Sequence, residues 1–255
     1  MPDRSSSRGR RSSPPPEAEA AERLLVDLPD VELLGVLRGA SNYTFLAQLG
    51  PHEPAGLLAV YKPARGESPL WDFEGGTLYQ REVAAYRLSK VLGWPNIPPT
   101  VVREQAPHGV GAIQLYVQAD RRHFLSEHRL AARQAWLQIA LFDVITNNAD
   151  RKSGHCLFDA TDTIWVIDHG LTFHTDPKLR TVIWDFSGEP LPPDLCDDVE
   201  RALIDVEKGK LAVELGDLLL PGEVRALKRR LRGVMDPAWR FPEPTSAWSV
   251  PWPPV

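Results

Sequence analysis

Three polar side chains stand at the ends of apolar segments: Asp150, His155 and Asp168. Ahead of them, residues 129–146 carry Leu137, Ile139, Leu141, Phe142, Val144 and Ile145 among other apolar side chains. So little polar face predicts a buried, central helix. It runs directly into Asn147-Asn148-Ala149-Asp150-Arg151-Lys152-Ser153-Gly154-His155, a polar, turn-forming stretch. Short strands at 156–158 and 163–167, bracketing a turn at 159–162, then deliver Asp168-His169-Gly170. That order can bring Asp150, His155 and Asp168 into one cleft, where carboxylates and an imidazole would hold a divalent cation. Phosphoryl transfer needs such parts: one group to orient an incoming hydroxyl, and ligands for a cation on nucleotide phosphates. Taken alone, Asp150 reads as a turn residue. The combination carries the chemistry.

Two further residues belong with these. Lys62 ends a strand at 56–62, and Glu82 lies in a helix predicted over 78–92, started by Thr77 and stopped by Gly93 and Pro95. Leu78, Ala85 and Tyr86 surround Glu82 on the helix surface, so its carboxylate needs a partner. Lys62 is the natural one, bridging Glu82 to phosphates. The alternative is a surface lysine with an exposed glutamate. Strands at 33–37 and 43–49 flank Arg38-Gly39-Ala40-Ser41-Asn42 as a hairpin turn, and two more are expected near 99–103 and 111–117. The order from 31 to 117 is therefore β-β-β-α-β-β. Beyond it the chain turns helical, with helices expected at 193–208 and 221–234.

Across 255 residues, 43% are hydrophobic and 25% charged, which suits a folded chain with a real core. The net charge of −5 gives no global basic field, so nucleic acid is not an expected partner. No apolar run approaches the roughly 20 residues that span a bilayer. Arginines at the start have no apolar stretch behind them, so a signal peptide is not expected. Two cysteines, Cys156 and Cys196, point to a reducing cytoplasm, and Cys156 reads as a buried, inert thiol. Residues 1–21, rich in Ser, Arg, Pro and Ala, have almost nothing to bury and are expected to be disordered. Residues 241–255 hold five prolines and two tryptophans, Trp248 and Trp252, which could strap the segment onto the body.

Lys62 in Val60-Tyr61-Lys62-Pro63, Glu82 in Arg81-Glu82-Val83-Ala84-Ala85-Tyr86, Asp150-Arg151-x-x-x-His155 and Asp168-His169-Gly170 resemble the phosphatidylinositol 3-/4-kinase family. More loosely, they are similar to its atypical-kinase relatives, the HipA-type kinases included. The likeness covers about 150 residues, and its strength lies in four motifs in the right order. It implies an α+β, bilobal protein-kinase-like fold. The N-lobe, 22–117, would be an antiparallel sheet with one helix; the C-lobe, 118–240, would be mainly helical. It further implies ATP between the lobes, with Mg²⁺ or Mn²⁺, and a hydroxyl acceptor on a lipid, protein or small molecule. By position, Lys62 would contact phosphates and pair with Glu82, and Asp150 would be the catalytic aspartate. Asp168, with His155, would bind the metal. Residues 114–118, including Gln114, Tyr116 and Val117, would form the adenine hinge, and Ser41 and Asn42 would cover the phosphates.

Three departures qualify the likeness. His155 stands where the family has asparagine, His169 where it has phenylalanine, and the hairpin turn lacks a full G-x-G-x-x-G. In the stretch after Asp168-His169-Gly170, His174, Lys178 and Arg180 are the only basic side chains, too few to assign a lipid. Two other readings stay open. One is a catalytically weak pseudokinase acting as a nucleotide- or partner-binding module. The other is a metallohydrolase built on His155, Asp168, His169 and His174, though no H-x-x-x-H or H-x-H spacing is present.

Overall fold

The computed structural model describes residues 17–37, 42–51, 56–120, 122–124 and 132–255. Helix α1 (Ala18–Asp27) comes first, followed by strands β1 (Val31–Val36), β2 (Phe45–Leu49) and β3 (Leu57–Pro63). Helix α2 (Leu78–Leu92) precedes β4 (Thr100–Arg103) and β5 (Gly111–Leu115). All five strands form one antiparallel sheet in the order β1-β2-β3-β5-β4. Helix α3 (Arg133–Thr146) follows, then the hairpin β6 (Cys156–Phe158) and β7 (Ile164–Val166). Helices α4 (Pro193–Lys208), α5 (Lys210–Leu218) and α6 (Pro221–Val234) complete the α+β fold.

Alternation along β3 sets the direction of Lys62. Ala59 and Tyr61 are fully buried in an apolar cluster with Ala21 and Leu25 of α1, Ala47, Leu49 and Ile113. A strand repeats every two residues, so Lys62 emerges on the opposite face. The β3–β5 register, with Lys62 opposite Ala112, holds it there. A larger cluster joins α2, α3, β6, β7 and the three C-terminal helices around Trp136, Leu137, Phe142 and Leu227.

Helix α2 ends as its sequence implies, with Gly93 at φ +85°. At its start Thr77 does not cap: its hydroxyl donates to the Glu74 carbonyl at 2.6 Å and accepts from Arg81. The disordered segment expected through residue 21 gives way to α1 at Ala18, while residues 1–16 lie outside the described residues. Turn residues 38–41, Ser41 among them, and residues 129–131 of the expected long helix also lie outside. The tail beyond Phe241 does lie on the body, but not through its tryptophans: Trp248 and Trp252 are exposed. Backbone carbonyls hold it instead. Ser249 accepts from the Thr181 N–H at 3.0 Å and Pro254 from the Ser153 N–H at 2.8 Å.

Candidate active site

Lys62 Nζ lies 2.5 Å from Glu82 Oε1 and 3.0 Å from Asp168 Oδ1. Glu82 is 3% exposed, and its second oxygen accepts the His169 N–H at 3.0 Å. A buried carboxylate is stable only when paired and hydrogen-bonded, and both conditions are met. Burial favours the neutral Lys62 amine, but the Asp168 and Glu82 carboxylates outweigh it and raise its pKa. Lys62 in turn holds the Asp168 carboxyl well below the usual range. Burial pushes Glu82 up, against the pull of Lys62.

On the other side of Asp168, Oδ2 faces His155 Nε2 at 3.3 Å. Burial depresses His155 to about 4, against the pull of Asp168, so the imidazole is neutral near pH 7. His155 Nδ1 accepts the Lys152 N–H at 3.4 Å, which places the ring proton on Nε2. With that proton moved to Nδ1, Nε2 and the Asp168 oxygen would fit adjacent positions on one small divalent cation, whose bonds are about 2.0–2.2 Å long. Asp150 lines the same cleft as Asn42, Lys62, Glu82 and Asp168.

The loop that presents Asp150 is bolted from beneath. Asn147, at φ +55°, ends α3 in the left-handed conformation. Asn148 donates its amide to Asp143 Oδ1 at 2.9 Å and accepts the Asp150 N–H at 3.0 Å. Fully buried Arg151 bonds both Asp143 oxygens at 3.1 Å, donates to the Ile167 carbonyl at 2.8 Å, and donates to His169 Nε2 at 2.8 Å. One guanidinium thus ties α3, the Asp150 loop and the Asp168 segment together.

Not every expected site residue joins this cluster. Gln114 is buried inside β5, paired with Val60 and Thr100, and its amide donates to Thr100 Oγ1 at 2.8 Å. Tyr116 and Val117 lie past the strand end, where the Tyr116 N–H donates to the Leu58 carbonyl at 3.1 Å. Asn42 lines the cleft, its side-chain oxygen accepting the Ser68 N–H at 2.8 Å. His169 and His174 do not join His155 and Asp168 around a metal: His169 is taken by Arg151, and His174 Nε2 lies 2.9 Å from the Asp72 carbonyl. Cys156 is buried, which pushes its thiol up to about 12.

Comparison with known proteins fits this geometry. No family model matches the chain. Its sequence is 36% identical over 261 aligned positions to Protein Rv2133c of Mycobacterium tuberculosis (strain ATCC 25618 / H37Rv), covering 88% of this chain and 92% of that one. The chain belongs to the Rv2133c family. Among solved structures, the Helicobacter pylori proinflammatory kinase CtkA superposes with a TM-score of 0.50 at 12% identity, over 82% of this chain and 92% of that chain. The Golgi casein kinase with Mn/ADP bound gives 0.54 at 16% identity, over 86% and 75%. Hydra Fam20 with sugar gives 0.50 at 15% identity, over 81% and 84%. The chain shares its fold with these structures.

Two features of the site were not legible as motifs. Lys152 Nζ lies 3.2 Å from Asp150 Oδ2, a second cation beside a carboxylate of the cleft. Burial raises Asp150, and Lys152 opposes that rise. A lysine two residues from an aspartate in a turn is the signal, unspecific by itself. The other is the buried pair of Arg81 with Glu223, 142 residues apart, which no local pattern announces. No helix among the described residues is long and apolar enough to cross a membrane.

Proposed function

We propose that this chain is an ATP- and Mg²⁺-dependent phosphotransferase of the phosphatidylinositol 3-/4-kinase-like type, moving the γ-phosphoryl group to a hydroxyl of a lipid, protein or small-molecule acceptor. The observation that carries the reading is the bridge from Lys62 to both Glu82 and Asp168, with Asp150 in the same cleft. A cation so held, opposite a carboxylate open to the acceptor, is what transfer between two anionic oxygens requires. The Mn/ADP complex of the Golgi casein kinase, which has the same fold, supports nucleotide and divalent metal here.

In this reading Lys62 binds phosphate oxygens, kept in place by Glu82. Asp168 and His155 hold the divalent cation, which when bound neutralises phosphate charge. Burial raises Asp150 toward the basicity a general base needs, and it takes the proton of the acceptor hydroxyl. That oxygen forms the new bond to the γ-phosphorus, the β–γ bridging bond breaks, and ADP leaves. Asn42, with Ser41, covers the phosphates, and the backbone of Tyr116 and Val117 offers adenine a hinge. The lobes, N-terminal over 22–117 and C-terminal over 118–240, meet at this cleft. A cytoplasmic setting, where ATP and reduced thiols coexist, belongs to the same reading.

A nucleotide-binding module without transfer is the second reading, favoured by one observation, the imidazole of His155 against Asp168. A metallohydrolase is not favoured, because His169 and His174 are engaged elsewhere. The deciding experiment incubates ATP, labelled at either the α or the γ phosphate, with purified protein, Mg²⁺ or Mn²⁺ and candidate acceptors. Label leaving from the γ position, and lost with Asp150→Ala, is expected. Turnover by Asp150→Ala at the parent rate would overturn the assignment, and tight nucleotide binding without turnover would favour the second reading.

A further inference from the structure

Arg81 and Glu82 are neighbours on α2 that grip opposite ends of one short segment. Glu82 accepts the His169 N–H, whereas Arg81 Nε donates to the Thr172 carbonyl at 3.1 Å. Between these two points the Thr172 hydroxyl donates to the His169 carbonyl at 2.6 Å. The segment is flanked by two non-glycine residues in the left-handed region, Asp168 and Phe173, each at φ +64°. Such backbone persists only where its surroundings over-determine it.

Arg81 is itself anchored outside the cleft. It is 3% exposed, donates to the Thr77 carbonyl at 3.1 Å and hydroxyl at 2.6 Å, and forms its ion pair with Glu223 of α6. Glu223 is 4% exposed, and its other oxygen accepts the Leu220 N–H at 2.9 Å. Helix α6 is in turn fixed in the helical core by Leu227, Leu231 and Val234. The Phe73 ring lies 5.3 Å from the guanidinium carbon. Among the described residues, the hydrogen bonds, ion pair and ring contact of Arg81 all go to residues outside the cleft lining.

We propose that Arg81 is a positioning residue: joined to Glu223, it fixes the 169–173 segment and the start of α2, so that Asp168 presents its carboxylate to Lys62 and to the cation. The consequence is a site assembled before any ligand arrives, with α2 tied to α6 instead of swinging in on activation. The role of Asp168 toward a cation rests on the function proposed above; the hold on the segment does not.

The test uses the full chain as Arg81→Met, Arg81→Lys and Glu223→Gln, comparing those variants that fold. Amide hydrogen exchange in the ligand-free protein reads the segment directly. Exchange at His169 and Phe173 is expected to rise by about tenfold or more, the scale of one lost charge-assisted bond. Exchange in β2 and β3 should stay as in the parent. Calorimetry with ADP, with and without Mn²⁺, reads the site. The gain in affinity that Mn²⁺ brings should shrink by about tenfold, while metal-free ADP affinity holds. Parent-like exchange in folded variants would overturn the proposal, as would an unchanged Mn²⁺-dependent gain. A parent protein that gains nothing from Mn²⁺ would defeat the metal-site reading instead, leaving exchange to decide the role of Arg81.

Discussion

Lys62 Nζ lies 3.0 Å from Asp168 Oδ1, although 106 residues separate them along the chain. The contact joins the end of β3 to the segment after β7, and with it the sheet to the helical half. Lys62 bonds two carboxylates with one positive charge, so replacing it would remove more than the phosphate contact proposed above. Lys62→Met is expected to lower kcat/KM for phosphoryl transfer by about 100-fold or more, the usual scale for losing one preorganised charge. Glu82→Gln should lose less, because the lysine keeps Asp168. Steady-state kinetics on folded variants checks both, and parent-like turnover by Lys62→Met would contradict the assigned role.

With Asp150 as the proposed general base, its pairing with Lys152 sets a pH dependence. Burial raises the Asp150 pKa and the Lys152 ammonium, 3.2 Å away, pulls it back. A general base acts only when deprotonated, so the rate falls as pH drops through that pKa. Removing the cation with Lys152→Met raises the pKa further, and the acid limb of the kcat profile moves to higher pH. Profiles of parent and variant measure the displacement. Coincident limbs would mean that Lys152 does not govern the base.

What the sequence revealed of this fold depended on how local each signal was. Helix α2 has a periodic apolar stripe and a glycine stop, and it spans Leu78–Leu92 as the pattern implied. Helices α4 and α6 begin at prolines, and their bounds, Pro193–Lys208 and Pro221–Val234, could be read in the same way. Helix α1 escaped because it buries only Ala21 and Leu25, while Glu22 finds its partners more than 60 residues away. Helix α5 is parted from α4 by Gly209 alone, which reads as a terminus. In the site, spacing pointed to Lys62, Glu82, Asp150, His155 and Asp168. It overlooked Lys152, and it could not show that Gln114 is spent inside the sheet.

As a proposed cation ligand, His155 bears on the choice of metal. Its imidazole is neutral, because burial depresses it to about 4, and it is a softer donor than Mg²⁺ prefers. His155→Asn supplies an oxygen donor at the same place beside Asp168. The ratio of Mn²⁺-supported to Mg²⁺-supported turnover is expected to fall in this variant. Metal titrations of the initial rate test it, and an unchanged ratio would remove His155 from the cation site.

Glu22 fixes α1 to α2, and its titration makes that attachment depend on pH. Burial alone would raise the carboxyl, but bonds from Lys90 at 2.6 Å, Tyr86 at 2.6 Å and Arg87 at 2.7 Å hold it at about 2, below the model-peptide value of 4.5. A carboxyl with a lowered folded-state pKa stabilises the fold above its unfolded pKa, and that contribution is lost as pH falls toward the folded value. Glu22→Gln should therefore be less stable than the parent near pH 7, with the gap closing between about pH 4.5 and 2. Lys90 is 36% exposed, so added salt should narrow the gap at neutral pH. Denaturant unfolding across this pH range, at low and high salt, measures it. A gap that persists at pH 2 would trace to lost packing of α1, and the charge-based account of its docking would fail.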